Sequence, residues 1–182
     1  MKQLFWPKAG QHQAAPHGGN KPLAFIVSFN NVTAGKVYPP GVYFYNEFSG
    51  VPQVLNFGCT GGAGIVGDFT HTSFGINARA MELAYVSGND ASVTFALDRD
   101  YSGAYWTVEN LFNAEFTVDL WVLIAVNDGV PVFDTGRFVV PRGRSVIQID
   151  SSHLDNRSTS FSQASIELQE PGRLAISEVA VI

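Results

Sequence analysis

From Leu23 onward, apolar and polar residues alternate with a period of two over most of the chain, the spacing that puts one face of a β-strand toward a core. Residues 23–29 form a first apolar, β-prone run. Residues 42–48 alternate Val42, Phe44, Asn46 and Phe48 against Tyr43, Tyr45 and Glu47, after a start fixed by Pro39-Pro40-Gly41. Shorter strands are expected at 54–57, 68–76 and 92–97. The clearest pattern is 115–126, with Phe116, Val118, Leu120, Val122, Ile124 and Val126 in one register. Asn127-Asp128-Gly129 then turns the chain into 130–140. This hairpin is expected at the centre of the fold, with Trp121, Leu123 and Ile124 buried. Pro141-Arg142-Gly143-Arg144 leads into a strand at 145–150. Ala164, Ile166 and Leu168 define another, and Pro171-Gly172, with type II turn chemistry, leads into the last at 174–182.

Two stretches compete for a helix. Residues 77–86 hold good helix formers, but Met81, Leu83 and Tyr85 also alternate with Ala80, Glu82 and Ala84, and the neighbouring strands favour a strand here. Residues 108–113 have the composition of a single helical turn. No βαβ rhythm, internal repeat or heptad is present. Many short strands with turn signals between them predict an all-β, jelly-roll-type antiparallel β-sandwich over 23–182. Residues 1–22 have no period and read as an extended N-terminal arm, with Phe5 and Trp6 as its anchoring side chains.

The last third resembles the end of galactose-binding-like jelly rolls, a group with many carbohydrate-binding modules and phage accessory domains. The succession of strands from Phe116 to Ile182 carries the likeness. Members often close on a strand of the form Ile-Asp-Asp-Val-x-Val, where this chain has Ile176-Ser177-Glu178-Val179-Ala180-Val181. In general character the chain also looks like a tailed-phage virion accessory protein.

Composition narrows the function classes. Of the 182 residues, 46% are hydrophobic and only 15% charged, which favours a subunit whose neighbours cover part of its surface. The net charge of -5, with no cationic cluster, speaks against binding to DNA or RNA. The longest apolar run, 120–126, is too short for a membrane-spanning helix, and no membrane insertion is expected. Cys59, the single cysteine, reads as a small buried residue rather than a nucleophile, since Gly58-Cys59-Thr60-Gly61 fits no thiol-enzyme pattern.

Gly62-Ala63-Gly64-Ile65-Val66-Gly67 matches the spacing of a dinucleotide fingerprint, but the residues after it are β-branched and aromatic. The helix that would meet a pyrophosphate is therefore not expected. Gly61, Gly62 and Gly64 read instead as a mobile loop or a close backbone contact to another chain. No cofactor and no metal are expected, because His12, His17, His71 and His153 lack partners at ligand spacing. Asp98, Asp100, Asp128 and Asp150 are the acids that a loop Ca²⁺ could use, without the spacing of a known loop. Glu47, Glu82, Glu109, Glu115 and Asp119 offer no pair singled out for glycoside hydrolysis, so no enzyme is expected.

Tyr101, Tyr105 and Trp106 are the expected aromatic platform if a sugar binds, against the competing reading of Trp106 as core. Two functions follow. The first is a structural or accessory subunit of a symmetric assembly, a phage virion head decoration, minor capsid or tail protein. It would be assembled in the host cytoplasm, with copies of itself and other virion proteins as partners and Phe5, Trp6, Gly61, Gly62 and Gly64 at its contacts. The second is a carbohydrate-binding jelly-roll module acting in adhesion, with surface glycans as partners.

Overall fold

The computed structural model describes residues 25–48, 50–69, 79–85, 88 and 90–182. In chain order the strands are β1 (Phe25–Ser28), β2 (Val37–Tyr38), β3 (Tyr43–Tyr45), β4 (Val54–Thr60), β5 (Gly64–Asp68), β6 (Arg79–Ala84) and β7 (Ala91–Tyr101). They continue as β8 (Ala104–Asn110), β9 (Phe116–Asn127), β10 (Val130–Val140), β11 (Gly143–Ile149), β12 (Phe161–Leu168) and β13 (Arg173–Val181). One 3-10 turn, Phe29–Asn31, follows β1, with the Ser28 side chain accepting from the Asn30 N–H.

Two antiparallel sheets face each other. The seven-stranded sheet runs β11-β8-β13-β6-β5-β2, with β1 also on β13, and the six-stranded sheet runs β10-β9-β12-β7-β4-β3. This is the expected jelly-roll-type β-sandwich. Period-2 alternation puts Trp106, Val108, Ile147, Ile176 and Val179 inside from one sheet, and Phe57, Phe95, Leu120, Val122 and Ile166 from the other. An aromatic chain crosses between the layers: Tyr38 on Phe57 at 4.8 Å between ring centroids, Phe57 on Phe95 at 4.8 Å, and Phe95 on Trp106 at 5.2 Å.

Several expectations change in detail. The ambiguous stretch before Tyr85 is a strand, β6, and 108–110 completes β8 rather than starting a helical turn. Of the strand expected at 68–76, Asp68 ends β5 and Phe69 follows it, and the rest lies outside the described residues. Gly172 keeps out of the left-handed region that a type II turn needs, and a Cβ there would meet the Phe116 ring at 3.0 Å.

The β9–β10 hairpin forms with Asp128 at φ 50° and Gly129 at φ 82°, the two left-handed residues of a tight primed turn. It lies at the edge of its sheet, not at the centre, and β10 is the outermost strand. Pairing with β12 ends at Leu123, so the hairpin overhangs the sheet, and Val126 and Val130 are exposed. Leu123 is buried, whereas Trp121, on the outward side of β9, and Ile124, which has no β12 partner, are only half-buried.

Candidate functional site

The outward positions of the six-stranded sheet follow from its register. Phe57, Phe95, Ala164 and Val122 align on the inward side. Their sequence neighbours therefore align on the outward side. One outward row reads Tyr45, Asn56, Ala96, Gln163, Leu123 and Phe133 from β3 to β10. The next reads Tyr43, Gly58, Thr94, Ser165, Trp121 and Thr135, and a third Thr60, Ser92, Glu167, Asp119 and Arg137.

Side-chain size changes across these rows. The middle strands carry Gly58, Thr94, Ala96, Ser92 and Ser165, while long aromatic side chains stand at both flanks, Tyr43 and Tyr45 on β3 and Trp121 and Phe133 on β9 and β10. In side-chain size the face is thus a trough: mostly short, largely buried residues on the middle strands lie between long aromatic ones at the flanks. At about 4.8 Å per strand, Tyr43 and Trp121 are separated by roughly 19 Å, room for an oligosaccharide-sized ligand rather than a single ring.

Hydrogen bonds organise the floor and walls. Thr94 and Ser165 hydroxyls pair at 2.8 Å, and Thr60 pairs with Ser92. Trp121 Nε1 donates to Glu167 Oε2 at 3.0 Å, and Gln169 donates to the same oxygen at 3.1 Å. Trp121 also sits edge-on to Phe133 at 6.4 Å, so its ring is fixed from two sides. Arg137 Nε donates to Asp119 Oδ1 at 3.0 Å. At the other flank the Tyr43 ring lies over Gly58, where a Cβ would collide with Tyr43 Cδ1. Burial, and then the nearby Cys59, raises the Tyr43 hydroxyl above its ordinary pKa.

Asn56 stands apart from this network. It is 1% exposed, and neither Oδ1 nor Nδ2 has a hydrogen-bond partner.

Beyond β10 the chain from Asp150 to Ser160 wraps the sheet edge. Leu154 bridges Gly136, where a Cβ would collide with the His153 carbonyl oxygen, so only glycine admits this approach. Asp134 anchors the wrap. Its buried carboxylate accepts from the amides of Thr135 (2.8 Å), Asn156 (3.0 Å) and Ser158 (3.1 Å), and from Asn156 Nδ2 (3.0 Å). Burial alone would raise its pKa; the Ser158 side chain and these amides outweigh that and hold it at about 2. Asp155 accepts from the outward Thr135 hydroxyl at 2.7 Å, which brings a carboxylate to the Trp121 end of the trough.

Trp106 is core, as the competing reading of the sequence has it, and the candidate sugar platform is not on the surface. Trp106 and Tyr101 are buried, at 0% and 1% exposure, and Tyr105 is half-buried on the opposite sheet. The reason is alternation: Trp106 shares the inward side of β8 with Ala104 and Val108. Tyr101 closes one end of the core, its ring edge-on to Phe25 at 5.3 Å and its hydroxyl donating to Asp98 at 2.9 Å.

The glycines also act within this chain. A Cβ at Gly61 would collide with the Asp90 carbonyl oxygen; at Gly62 it would lie 2.9 Å from that of Ala84, and at Gly64 2.5 Å from Met81 Sδ. Gly61 and Gly62 form a tight β4–β5 connection and Gly64 opens β5, so the loop expected to be mobile is a packed turn and a strand rather than a nucleotide fingerprint. Phe5 and Trp6 lie outside the described residues. Cys59 is buried between Gly64 and Met81, and burial pushes its thiol up to about 12. Among the acids, Glu82 pairs with Arg173, Asp119 with Arg137, and Glu47 with Lys36 and Tyr38. Among the described residues no three metal-binding side chains cluster.

These features define a class, a jelly-roll sandwich with a polar, aromatic-walled sheet face. No protein-family model and no curated protein matches the sequence. Solved structures do. The chain is similar to the family 11 carbohydrate-binding module from Clostridium thermocellum in complex with a β-1,3-1,4-mixed-linked tetrasaccharide, at 8% identity and a TM-score of 0.52, covering 87% of this chain and 95% of that one. It is similar to the solution structure of CtCBM11 at 9% identity and a TM-score of 0.51, covering 86% and 92%. A mutant of the family 29 carbohydrate-binding module CBM29-2 is a looser likeness at 10% identity and 0.47, covering 88% and 91%. At these identities the two family 11 likenesses establish the shared sandwich fold.

Only a few residues of this face were legible in advance. The alternation put Tyr43 and Tyr45 on the side opposite Phe44, but nothing marked that side as outward. Asn56, Gln163 and Ser165 carried no signal. Their grouping depends on strands β4, β7, β12 and β9 becoming neighbours, which period-2 spacing does not encode.

Proposed function

We propose that this chain is a non-catalytic carbohydrate-binding domain that takes an oligosaccharide across the strands on the outward face of the six-stranded sheet. The observation that carries the reading is the trough itself. Aromatic rings at both flanks offer apolar faces to sugar C–H groups, and the floor between them offers amides, hydroxyls and carboxylates to sugar hydroxyls. Family 11 modules share the fold, and one of them is known in complex with a mixed-linked tetrasaccharide. The assembly reading drawn from sequence has less to stand on: Gly61, Gly62 and Gly64 pack within the chain, and the arm lies outside the described residues.

Glycan-array screening followed by calorimetric titration tests the proposal. Saturable binding of at least one class of soluble oligosaccharide is expected, weakened at least tenfold by Trp121→Ala. No binding across neutral and acidic glycans would defeat it.

A further inference from the structure

The unpartnered Asn56 amide gives the trough a chemical preference. An amide buried without partners has lost its hydrogen bonds to water and gained none in return, so it destabilises the fold relative to a satisfied one. Asn56 places both an acceptor and a donor in that position at once. It lies on the outward face, across from Tyr45 in register, with Ala96 beside it on β7. Tyr45 is 64% exposed, and Ala96 has no polar side-chain atom to offer.

We propose that Asn56 and Tyr45 form a subsite for a vicinal diol on a sugar ring. One hydroxyl donates to Asn56 Oδ1, the adjacent hydroxyl oxygen accepts from Nδ2, and the ring's C–H face rests on Tyr45. A diol matches the amide because the two atoms of the carboxamide need one donor and one acceptor at neighbouring positions. A lone hydroxyl satisfies only one of them. The amide is closed to solvent, so a ligand reaches it only after a side-chain movement, and the exposed Tyr45, opposite it in register, is the group proposed to move, a fast event for a surface side chain. This rests on the glycan-binding reading and adds the residue that selects the ligand.

The pair of readouts that tests it is affinity and stability of one variant. Asn56→Leu keeps the volume and removes the polar atoms. If the amide waits for a ligand, the variant binds the mixed-linked tetrasaccharide at least tenfold more weakly while its melting temperature is unchanged or higher. A residue with a merely structural role would lose stability along with affinity. Nuclear magnetic resonance separates this inference from the function it rests on. On titration with the tetrasaccharide, or with the oligosaccharide that the array selects, the Trp121 indole N–H signal should shift, and so should the Asn56 side-chain amide pair, assigned by its loss in Asn56→Leu. A shift at Trp121 with none at Asn56 overturns the subsite and leaves the function standing. A shift at neither, for any glycan tried, overturns both. Full affinity in Asn56→Leu overturns the subsite alone.

Discussion

The two sheets turn different surfaces to solvent although the same alternation built both. Outward positions of the seven-stranded sheet include exposed Ile26, Val37, Ile65 and Val146, with Glu82 paired to Arg173. Its one outward aromatic ring among these strands, Tyr105, has Gln148 on one side and Ala180 on the other. The six-stranded sheet puts two tyrosines, a tryptophan and a phenylalanine around a floor of small polar residues. Aromatic content alone does not distinguish them, since the largest aromatic side chain of the seven-stranded sheet, Trp106, faces inward. A recognition face needs aromatic groups on the outward parity, short side chains between them, and polar atoms left over. Only the six-stranded sheet meets all three conditions.

Exchanging the two tryptophans breaks this comparison most sharply. Trp106→Ala empties the middle of the core and should cost about 3–5 kcal/mol, the range for a buried tryptophan truncation, read as a large drop in the denaturant midpoint. Trp121→Ala should cost far less stability while removing glycan binding. Equal stability losses would mean that Trp121 is core.

Acid should affect the sheet edge next. Asp134 has its folded pKa depressed below the unfolded value, so its stabilisation is present above about pH 4 and lost as pH falls through about 2. Asp134→Asn should remove about 2 kcal/mol at pH 7 and flatten the stability curve between pH 4 and 2. A variant with unchanged acid dependence would show that the wrap around β10 does not depend on this carboxylate.

Gly58→Ala comes third. The added methyl group collides with the Tyr43 ring and should cost about 1–2 kcal/mol, as overpacking does. Because the ring must leave the flank of the trough, affinity should fall with it. Ile124→Ala is the mildest, at about 1 kcal/mol, because Ile124 is half-buried beyond the end of β12. Cys59 supplies a check without mutation: its buried thiol, raised to about 12, should resist thiol reagents at pH 8 until the protein unfolds.

Much of the fold was readable from sequence because it depends on local alternation. The strands around Phe116–Val126 and Leu174–Ile182 and the Asp128-Gly129 turn needed no knowledge of the rest of the chain. The site was not readable in that way. Tyr101-x₃-Tyr105-Trp106 is dense in aromatic residues, which suits a platform as well as a core, and two of the three face inward. The trough gathers its side chains one or two at a time from strands as far apart as Tyr43 and Phe133. Parity within a strand can be read locally; which parity faces solvent, and which strands become neighbours, is fixed only by the closed sandwich. The small residues of the floor carry no chemistry of their own in sequence and acquire meaning from the walls on either side.

The most direct measurement is the Trp121 indole N–H signal in a heteronuclear spectrum, followed while the glycan selected by array screening is titrated in. Saturable shifts at Trp121, with the Trp106 indole signal unmoved, are the predicted result. Shifts confined to residues of the seven-stranded sheet, or no shift with any glycan, would contradict the assignment of the six-stranded face as the binding surface.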